Sequence, residues 1–191
     1  MQKFVWLIML GSATLEKKTD GGEPMKIYII GSVGSGKTTL ARKIAEKTGV
    51  AAYELDNVVW ERHSEGDRRR TPSERDAVLQ DILKTDAWII EGAQYVDWVL
   101  PAMQRADRIL FLDPPNRIRK YRILKRFVRQ ELRLEKANYR PTLHILRRMF
   151  EWNAQFQTQG RQQVLHDLAL FQEKTVLLRT KKDIQNILNL I

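Results

Sequence analysis

The sequence predicts an α/β fold of three layers, in which a five-stranded parallel β-sheet is covered on both faces by helices. Short apolar runs alternate along the chain with longer segments of helical periodicity, which is the pattern of strand–helix–strand units. The runs are apolar throughout, as expected for strands that are buried on both faces. The 191 residues, 43% of them hydrophobic, suffice for one ordinary domain with its core.

The first two strands enclose a helix whose end is marked by a glycine. Residues 26–30 are apolar and predict a buried strand. Residues 37–47 are rich in helix formers, and Gly49 behind them is a typical helix C-cap. Residues 50–55 predict the second strand, and residues 57–70 are expected to be irregular.

The rest of the chain repeats this alternation. Residues 71–74, Thr-Pro-Ser-Glu, have the capping residue, the proline and the glutamate that begin a helix. Residues 87–90 and 108–112 predict the third and fourth strands. The later elements are a basic helix from about residue 116, two helices within 141–172 with a break near 158–160, a last strand at 175–178 and a closing helix at 181–190.

Residues 25–191 are interpreted as one domain. Residues 1–24 are interpreted as an N-terminal extension that is either disordered or precedes the true start of the protein. The apolar run Phe4–Leu10 is far shorter than the roughly 20 residues that cross a bilayer. A polar linker at 16–24 follows it, and Met25 stands directly before the first strand. A weak secretion or surface-anchoring segment is the alternative interpretation.

Composition and charge exclude several classes of protein. The chain has no cysteine, so it has no disulfide, no cysteine nucleophile and no zinc–thiolate site. Its 33 lysines and arginines against 23 acids give a net charge of +10, which favours a polyanionic partner such as nucleotide phosphate, nucleic acid or acidic lipid. Residues 117–148 hold twelve of these cations against two acids. A solvated helix face is the alternative interpretation of that stretch.

A phosphate-binding loop stands between the first strand and the first helix. Residues 31–38, Gly-Ser-Val-Gly-Ser-Gly-Lys-Thr, match the pattern G-x-x-x-x-G-K-[ST] in full. Its glycines allow amide N–H groups to turn inward around an anion, and the dipole of the following helix adds to the attraction. Lys37 can reach the β- and γ-phosphates of ATP, and the Thr38 hydroxyl can ligate Mg²⁺. The nucleotide-binding residues expected from the motif are Gly31, Ser32, Gly34, Ser35, Gly36, Lys37, Thr38 and Thr39.

Acidic residues follow three of the predicted strands, namely Asp56, Glu91 and Asp113. Ligands of open parallel sheets lie beyond the carboxyl ends of the strands. We therefore expect Glu91 in the metal shell with Thr38, with a purely structural charge as the alternative. Asp56 is a candidate general base or acceptor contact, and Asp113 is expected to cap the basic helix.

The basic helix places three arginines on one face. Arg122 and Arg126 are four residues apart, and Arg119 precedes Arg122 by three. Guanidinium groups stabilise the negative charge that spreads over phosphate oxygens during phosphoryl transfer. The predicted catalytic residues are therefore Arg122 and Arg126 together with Lys37 and Asp56.

These motifs together resemble the P-loop kinases of the adenylate kinase and shikimate kinase group. Within that group the chain is most similar to the DNA topology modulation proteins of the FlaR type, which are adenylate kinase-related. The similarity runs from Met25 to about Leu190. The segments that carry it are 29–32, 34–43, Leu55-Asp56, Trp60, 88–92, 109–113 and 121–126.

The resemblance implies a P-loop NTPase three-layer sandwich with a helical lid, whose five parallel strands have the order 2-3-1-4-5. It implies an acceptor region near residues 57–85 and a mobile lid around 117–160, whose Arg122 and Arg126 touch the ATP phosphates. After the third strand the family usually has Asp-Gly-Asn-Tyr, whereas this chain has the longer glutamate in Glu91-Gly92-Ala93-Gln94-Tyr95. The lid has no cysteines, so it is not of the zinc-bearing kind.

The function predicted from these residues is an ATP-dependent phosphotransferase that uses Mg²⁺ and holds a small acceptor near Asp56 and Gly92. If the acceptor is anionic, as a nucleoside monophosphate is, four arginines are candidates to grip it: Arg68, Arg69, Arg70 and Arg75. The expected location is the cytoplasm, without a membrane partner, and the expected oligomeric state is a monomer or a dimer.

Two other functions fit parts of the sequence. A nucleic-acid-associated ATPase or regulator of DNA topology fits the basic stretch, although no helix-turn-helix or zinc-finger pattern occurs. A GTPase would read guanine through residues 180–183, Thr-Lys-Lys-Asp, but the chain has no D-x-x-G segment. Thr180 and Asp183 are better explained as the N-cap and third residue of the closing helix.

Overall fold

The computed structural model describes residues 25–94, 96–135 and 141–191 of the chain. The predicted N-terminal extension, residues 1–24, lies outside the described residues. Within the described ranges, no helix combines the length and the hydrophobicity that crossing a membrane requires.

A parallel sheet of five strands forms the centre of the domain. Along the chain the strands are β1 (Lys26–Gly31), β2 (Ala52–Glu54), β3 (Trp60–Glu61), β4 (Arg68–Arg69), β5 (Trp88–Gly92), β6 (Arg108–Leu112) and β7 (Thr175–Leu178). The sheet has the order β2-β5-β1-β6-β7 with all neighbours parallel, and β3 and β4 form a separate antiparallel ribbon. Counted within the sheet alone the order is 2-3-1-4-5, so the predicted α/β P-loop NTPase fold is confirmed.

Helices connect and cover these strands. They are α1 (Lys37–Thr48), α2 (Leu55–Val59), α3 (Pro72–Leu83), α4 (Leu100–Arg105), α5 (Asn116–Glu131), α6 (Leu143–Gln155), α7 (Arg161–Leu168) and α8 (Lys181–Leu190), with short 3₁₀ segments at Asp97–Val99 and Ala169–Lys174. Gly49 ends α1 with a φ of 74°. Thr71 begins α3 with a capping box, in which it exchanges hydrogen bonds with Glu74. Both predicted helix ends are therefore confirmed.

Successive residues of β1 alternate between two hydrophobic cores, one on each face of the sheet. Tyr28 and Ile30 belong to the core that also contains side chains of α2, α3, α4 and α7. Ile27 and Ile29 belong to the core that contains side chains of α1 and α8. Because the strand is buried on both faces, its sequence shows no alternation of polar and apolar residues.

The segment after β2 is more ordered than the sequence predicts. The chain becomes helical at Leu55, so β2 ends at Glu54, and the ribbon of β3 and β4 follows α2. Leu55 and Val58 are buried in the core, and this tertiary burial stabilises a helix that has no capping side chain of its own. The helix α4 is also not predicted, because its six residues are too few to show a helical period.

Near residues 158–160, where the sequence predicts a break between two helices, the structure has a π-helical turn at Phe156–Gly160 that does not interrupt the helix. Gln155 before the turn and Arg161 after it keep right-handed helical angles, so α6, the turn and α7 form one continuous helix. The helix α5 packs against α6, and its Ile123 lies close to the phosphate loop. The pair of α5 and α6, which makes up most of the predicted lid and is here called the lid hairpin, therefore stands beside the loop.

Candidate functional site

The loop of residues 31–38 turns sharply between β1 and α1. The Ser35 N–H donates a hydrogen bond to the Ser32 carbonyl at 3.2 Å, and Gly34 and Gly36 have φ values of 74° and 103°. Positive φ values turn neighbouring N–H groups toward one side, which forms a concave nest for an anion. Gly36 directly precedes α1 and brings no side chain to the N–H groups at the helix start. These donors and the positive end of the helix dipole are available to the same anion.

The loop approaches β6 and α5 so closely that only glycine fits at two positions. A Cβ on Gly31 would lie 2.6 Å from the Leu112 carbonyl oxygen, and a Cβ on Gly34 would lie 2.8 Å from the Arg119 carbonyl oxygen. A carbon–oxygen contact this short requires the backbone to move, in an interior that packs densely. The backbones of β6 and α5 therefore fix the position of the loop.

Lys37 and Thr38 lie in the first turn of α1 and make different contacts. The Lys37 ammonium donates to the Ser32 carbonyl at 3.2 Å, which holds it over the loop. The Thr38 hydroxyl donates to Glu91 Oε1 at 2.5 Å. Glu91 lies in β5, which neighbours β1 in the sheet. The contact between Thr38 and Glu91 therefore joins the start of α1 to the end of the strand beside β1.

The environment of Glu91 suits a bound cation. This residue is 5% exposed, and burial raises the pKa of its carboxyl, while the Lys37 ammonium and the Thr38 hydroxyl oppose the rise. A cation would stabilise the ionised form that burial disfavours. Thr38 and Glu91 supply the hard oxygen donors that Mg²⁺ prefers. In the described ranges no group of three or more histidines and acids is arranged to hold a metal, so such an ion would also need phosphate oxygens and water.

The other hydroxyl groups of the loop have three different environments. Ser35 Oγ is buried and has no hydrogen-bond partner among the described residues. Ser32 Oγ accepts a hydrogen bond from Arg119 at 3.1 Å, and Thr39 is exposed on α1. A buried hydroxyl without a partner fits a phosphate site, because a phosphate oxygen would accept its proton in a hydrogen bond.

The predicted catalytic arginines of α5 lie at different distances from the loop. Arg122 Nη1 donates to the Ser35 carbonyl at 2.5 Å, and burial lowers the pKa of this guanidinium. Arg126 is 3.7 Å from the Glu135 carboxylate and is half exposed. Of these two side chains, the structure places Arg122 on the loop and Arg126 one turn further along the helix.

Arg119 is 0% exposed and lies between the loop and the π turn. Its guanidinium donates to Ser32 Oγ and to Gln157 Oε1, and it stands 5.0 Å from the centroid of the Phe156 ring. Burial lowers its pKa, and the Asp113 carboxylate at 4.0 Å opposes this effect. Arg119 therefore differs from Arg122 in its contacts: it links the loop to the π turn.

Asp113 does not cap α5 as predicted. Pro115 is the residue before the helix, and no side chain makes a capping hydrogen bond there. Asp113 is 4% exposed, accepts a hydrogen bond from Arg161 at 2.9 Å and lies 3.7 Å from Arg179. The prediction failed because Arg161 is 48 residues away along the chain, beyond the reach of any local pattern.

Asp56 and Gln94 form a hydrogen bond with each other beyond the ends of β2 and β5. Asp56 is exposed in the first turn of α2, and the Gln94 side-chain amide donates to Asp56 Oδ1 at 3.2 Å. The Tyr28 hydroxyl donates to the Gln94 carbonyl at 3.1 Å. Gln94 is a residue that the sequence analysis misses, and its only signal is its place just after Gly92 at a strand end.

Three of the four arginines that were predicted as acceptor contacts bond to groups of their own segment. They are Arg68, Arg70 and Arg75. The fourth, Arg69, lies over the Trp60 ring at 6.0 Å from its centroid.

Two cavities adjoin the loop. The first, of about 250 Å³, lies between the start of α5 and the connection from β7 to α8, and its walls include Pro115, Arg117, Ile118, Arg179, Thr180 and Ile184. The second, of about 190 Å³, is lined by Ser32, Val33, Ala93, Trp152, Gln155 and Phe156. The loop therefore borders one space between α5 and the start of α8 and another between α6 and the end of β5.

The closing helix α8 begins with a capping box of Thr180 and Asp183. The Asp183 carboxylate accepts hydrogen bonds from the N–H groups of Arg179 and Thr180 at 2.8 Å. Its oxygens thus serve the start of the helix and are not directed to a guanine base. The interpretation of Asp183 as part of a cap is confirmed.

The parallel sheet and the glycine loop that leads into α1 define a P-loop NTPase domain. Residues 27–149 match the family described as the ATPase family associated with various cellular activities (AAA). This match covers more than half of the chain, and the chain belongs to that family. No curated protein matches the chain in sequence.

Three solved structures are similar to this fold. A shikimate kinase from Acinetobacter baumannii in complex with shikimate is 21% identical with a TM-score of 0.50, over 87% of this chain and 92% of that chain. A gluconokinase from Sinorhizobium meliloti 1021 is 16% identical with a TM-score of 0.49, over 87% and 89%. An unliganded sugar kinase from Janibacter sp. HTCC2649 is 17% identical with a TM-score of 0.48, over 87% and 93%. At these identities the similarity concerns the fold alone.

Gly34→Ala should destabilise the protein more than Gly49→Ala. Both glycines have a φ of 74°, so each alanine should cost about 1–2 kcal/mol for its left-handed backbone. A Cβ at Gly34 also meets the Arg119 carbonyl, whereas one at Gly49 has nothing within 4 Å. Chemical denaturation of the two variants measures the difference. Equal losses of stability would contradict the close packing of the loop on α5.

Glu91→Gln should stabilise the nucleotide-free protein increasingly as the pH rises. Because the pKa of Glu91 is raised above its ordinary 4.5, the wild type loses stability as the pH rises through the raised value, and a neutral glutamine does not. Denaturation in EDTA from about pH 4.5 to about pH 8 should therefore show a widening gap between variant and wild type. The exposed Asp81→Asn is the control, and a gap that stays constant with pH would refute the expectation.

Proposed function

We propose that the chain is an ATP-dependent phosphotransferase, which moves the γ-phosphoryl group of ATP to a hydroxyl group of a small acceptor with Mg²⁺ as cofactor. The observation that carries this proposal is the convergence of Lys37, the Thr38–Glu91 pair and Arg122 on one loop. An ammonium, oxygen donors for a metal and a guanidinium from a lid are the parts that phosphoryl transfer needs. The shikimate kinase of similar fold binds shikimate, which supports an acceptor of small size.

The nucleotide would lie along the loop and the larger cavity. The amides of residues 31–38 would surround the phosphates, and the base would enter the space of about 250 Å³ beside α5. Ile118 and Ile184 offer apolar walls there, and Arg117 and Arg179 offer flat guanidinium groups, a combination that suits a planar base. Because ATP is the proposed substrate, the cytoplasm is the proposed location.

Thr38 and Glu91 would hold the metal. Mg²⁺ is usually bound by one or two protein oxygens, with water and phosphate oxygens completing its shell, and this pair supplies two such oxygens. When bound, the ion neutralises charge on the β- and γ-phosphates. Glutamate in place of the aspartate of similar kinases is long enough to reach the Thr38 hydroxyl directly.

Asp56 is the proposed general base. The acceptor oxygen forms a bond to the γ-phosphorus, the bond from that phosphorus to the β–γ bridging oxygen breaks, and ADP leaves while the acceptor proton passes to the Asp56 carboxylate. Arg122 and Arg126 would stabilise the charge on the transferred group. The proposed lid, residues 117–160, would close over the phosphates and exclude water.

A role in DNA topology, as in the FlaR-type proteins, is the second candidate. The exposed cations of α5 favour it, among them Arg117, Lys120 and Lys125. The same exposed surface also presents Tyr121 and Leu124, whose apolar groups gain nothing from phosphodiesters. Steep salt dependence of duplex retention, in a protein without acceptor-dependent turnover, would favour this candidate over the first.

Lys37→Ala should weaken ATP binding by at least about a hundredfold, because it removes a charged donor to the phosphates. Calorimetry with Mg²⁺ measures the affinity, and acceptor-dependent ADP release should be lost in parallel. Lys43→Ala, on an exposed position of the same helix, is the matched control. Undiminished affinity of Lys37→Ala would contradict the proposed site.

Arg122→Ala should lower kcat by about 10²–10³-fold, as expected for loss of a donor that stabilises transition-state charge. Arg126→Ala should lower kcat by a smaller factor, since its side chain pairs with Glu135. Arg129→Ala is the control, because Arg129 bonds to the same Glu135 from an exposed position. Steady-state kinetics at saturating ATP measure these factors. A larger effect at Arg129 than at Arg122 would overturn the assignment.

A further inference from the structure

We infer that the acceptor is an alcohol without negative charge, either a neutral polyol or an amino alcohol. The inference rests on the proposed function and narrows it to a class of substrate. It decides against the anionic acceptor that the sequence left open and for which its arginines were candidate contacts. Three features of the acceptor side carry it: the charge balance, the polar groups of Asp56 and Gln94, and the uncharged cavity beside the loop.

The chain segment on the acceptor side of the phosphate loop carries a net negative charge, and the segment on the lid side carries a net positive charge. Residues 51–94, which contain the Asp56–Gln94 pair, hold ten carboxylates against six cations, a net charge of −4. Residues 116–135, which contain α5, hold eight cations against two carboxylates, a net charge of +6. The positive potential that attracts phosphates therefore comes from the lid side. An anionic acceptor approaching from the other side would meet repulsion.

Arg68 does not change this balance. Its guanidinium donates to Glu61 at 2.8 Å and to both oxygens of Glu74 at 3.0 Å. Exposed ion pairs of this kind contribute little to stability, so the side chain is free to leave them at small cost. If Arg68 turned to an anionic acceptor, it would leave two unpaired carboxylates beside that acceptor. The net electrostatic gain would be small.

The neighbouring arginines are engaged as well. Arg70 donates to the carbonyl of Asn57 at 2.8 Å. Arg75 pairs with Asp76 and lies 4.4 Å from the centroid of the Trp98 ring. These contacts direct the guanidinium groups of Arg70 and Arg75 toward neighbouring groups of the protein.

Asp56 and Gln94 present oxygen atoms that suit hydroxyl groups. An ionised aspartate only accepts hydrogen bonds, so the Gln94 amide nitrogen must face Asp56. Gln94 Oε1 then points away, and it is buried without a hydrogen-bond partner among the described residues. The exposed Asp56 carboxylate therefore offers acceptor oxygens to a ligand that brings donors, and Gln94 Oε1 is a buried acceptor beside it that still has no donor. A polyol brings such donors, and a phosphate or carboxylate does not.

The smaller cavity reaches the residue before Gln94 in the chain. Ala93 forms part of its wall, and all of its lining residues are uncharged. The Arg119 guanidinium contacts two of these residues, Ser32 and Phe156, but it is already bonded to Ser32 Oγ and Gln157 Oε1, so an anion there would have to displace those contacts to gain a counter-charge. Trp152 is 46% exposed on one wall; the Arg148 guanidinium already lies 5.3 Å from its ring centroid, and the remaining indole surface suits the C–H groups of a ligand. The volume of about 190 Å³ equals that of about six waters in the liquid, a size that suits a ring or chain of six carbons.

A matched panel of ligands tests the inference on the full chain. With Mg²⁺ and a non-hydrolysable ATP analogue, calorimetry would compare glucose and myo-inositol with glucosamine, and these with gluconate, glucose 6-phosphate and AMP. We expect binding by uncharged or cationic members, and binding at least about tenfold weaker by the anionic ones. The comparison of glucose and myo-inositol with glucosamine distinguishes a neutral polyol from an amino alcohol. Tighter binding of an anionic member, or no binding by any uncharged or cationic one, overturns the inference.

Turnover separates this inference from the proposed function. If an anionic member is phosphorylated with ADP release, the phosphotransferase proposal stands and the acceptor inference fails. If an uncharged or cationic member binds but no ADP forms with ATP, the preference of the site for uncharged or cationic ligands stands and the phosphotransferase proposal fails.

Gln94→Ala provides a second, residue-specific test. Loss of its oxygen should raise the KM for the best acceptor about threefold to tenfold and leave the KM for ATP unchanged. Gln163→Ala, an exposed glutamine on α7, is the control for substitution of a glutamine as such. A purely structural role of Gln94 would instead change both KM values or neither, and that result would overturn its assignment to the acceptor.

Discussion

The close approach of the glycine loop to its neighbours is the constraint on which the rest of the site depends. At Gly34 a single methyl group would collide with the Arg119 carbonyl of α5, so the helix and the loop meet as backbone against backbone. This contact places Arg122, one turn later, where its guanidinium reaches the Ser35 carbonyl. The glycines thus serve two purposes, since they shape the anion nest and also determine where the lid helix crosses it.

Buried charge is concentrated around this contact. Glu91 and Arg119 each have a pKa displaced by burial in the direction of the neutral form. Such groups lower the stability of a fold unless partners compensate. Arg119 has Ser32, Gln157 and the ring of Phe156 as partners. Glu91 has chiefly the Thr38 hydroxyl, which leaves it the better site for an external cation.

Local features of the chain were predictable from the sequence, and features that join distant segments were not. The phosphate loop, the apolar strands and the cap at Thr71 depend on a few consecutive residues, and each was predicted. The partner of Asp113 is Arg161, and no periodicity connects residues that far apart. The same reason hides the pairing of Gln94 with Asp56. The helix α2 was missed because burial of Leu55 and Val58, rather than a local signal, stabilises it.

The π turn at Phe156–Gly160 has a mechanical consequence for the lid. Because α6, the turn and α7 form one continuous helix, and Val164 and Leu168 of α7 are anchored in the core, α6 has no loop at its C-terminal end on which to swing. A wide turn can exchange its hydrogen bonds for narrower ones, and each such exchange rotates the preceding helix about its own axis. Movement of the lid hairpin would then combine rotation of α6 about its axis with translation along that axis. Gln157, which accepts a hydrogen bond from Arg119, would move with the turn.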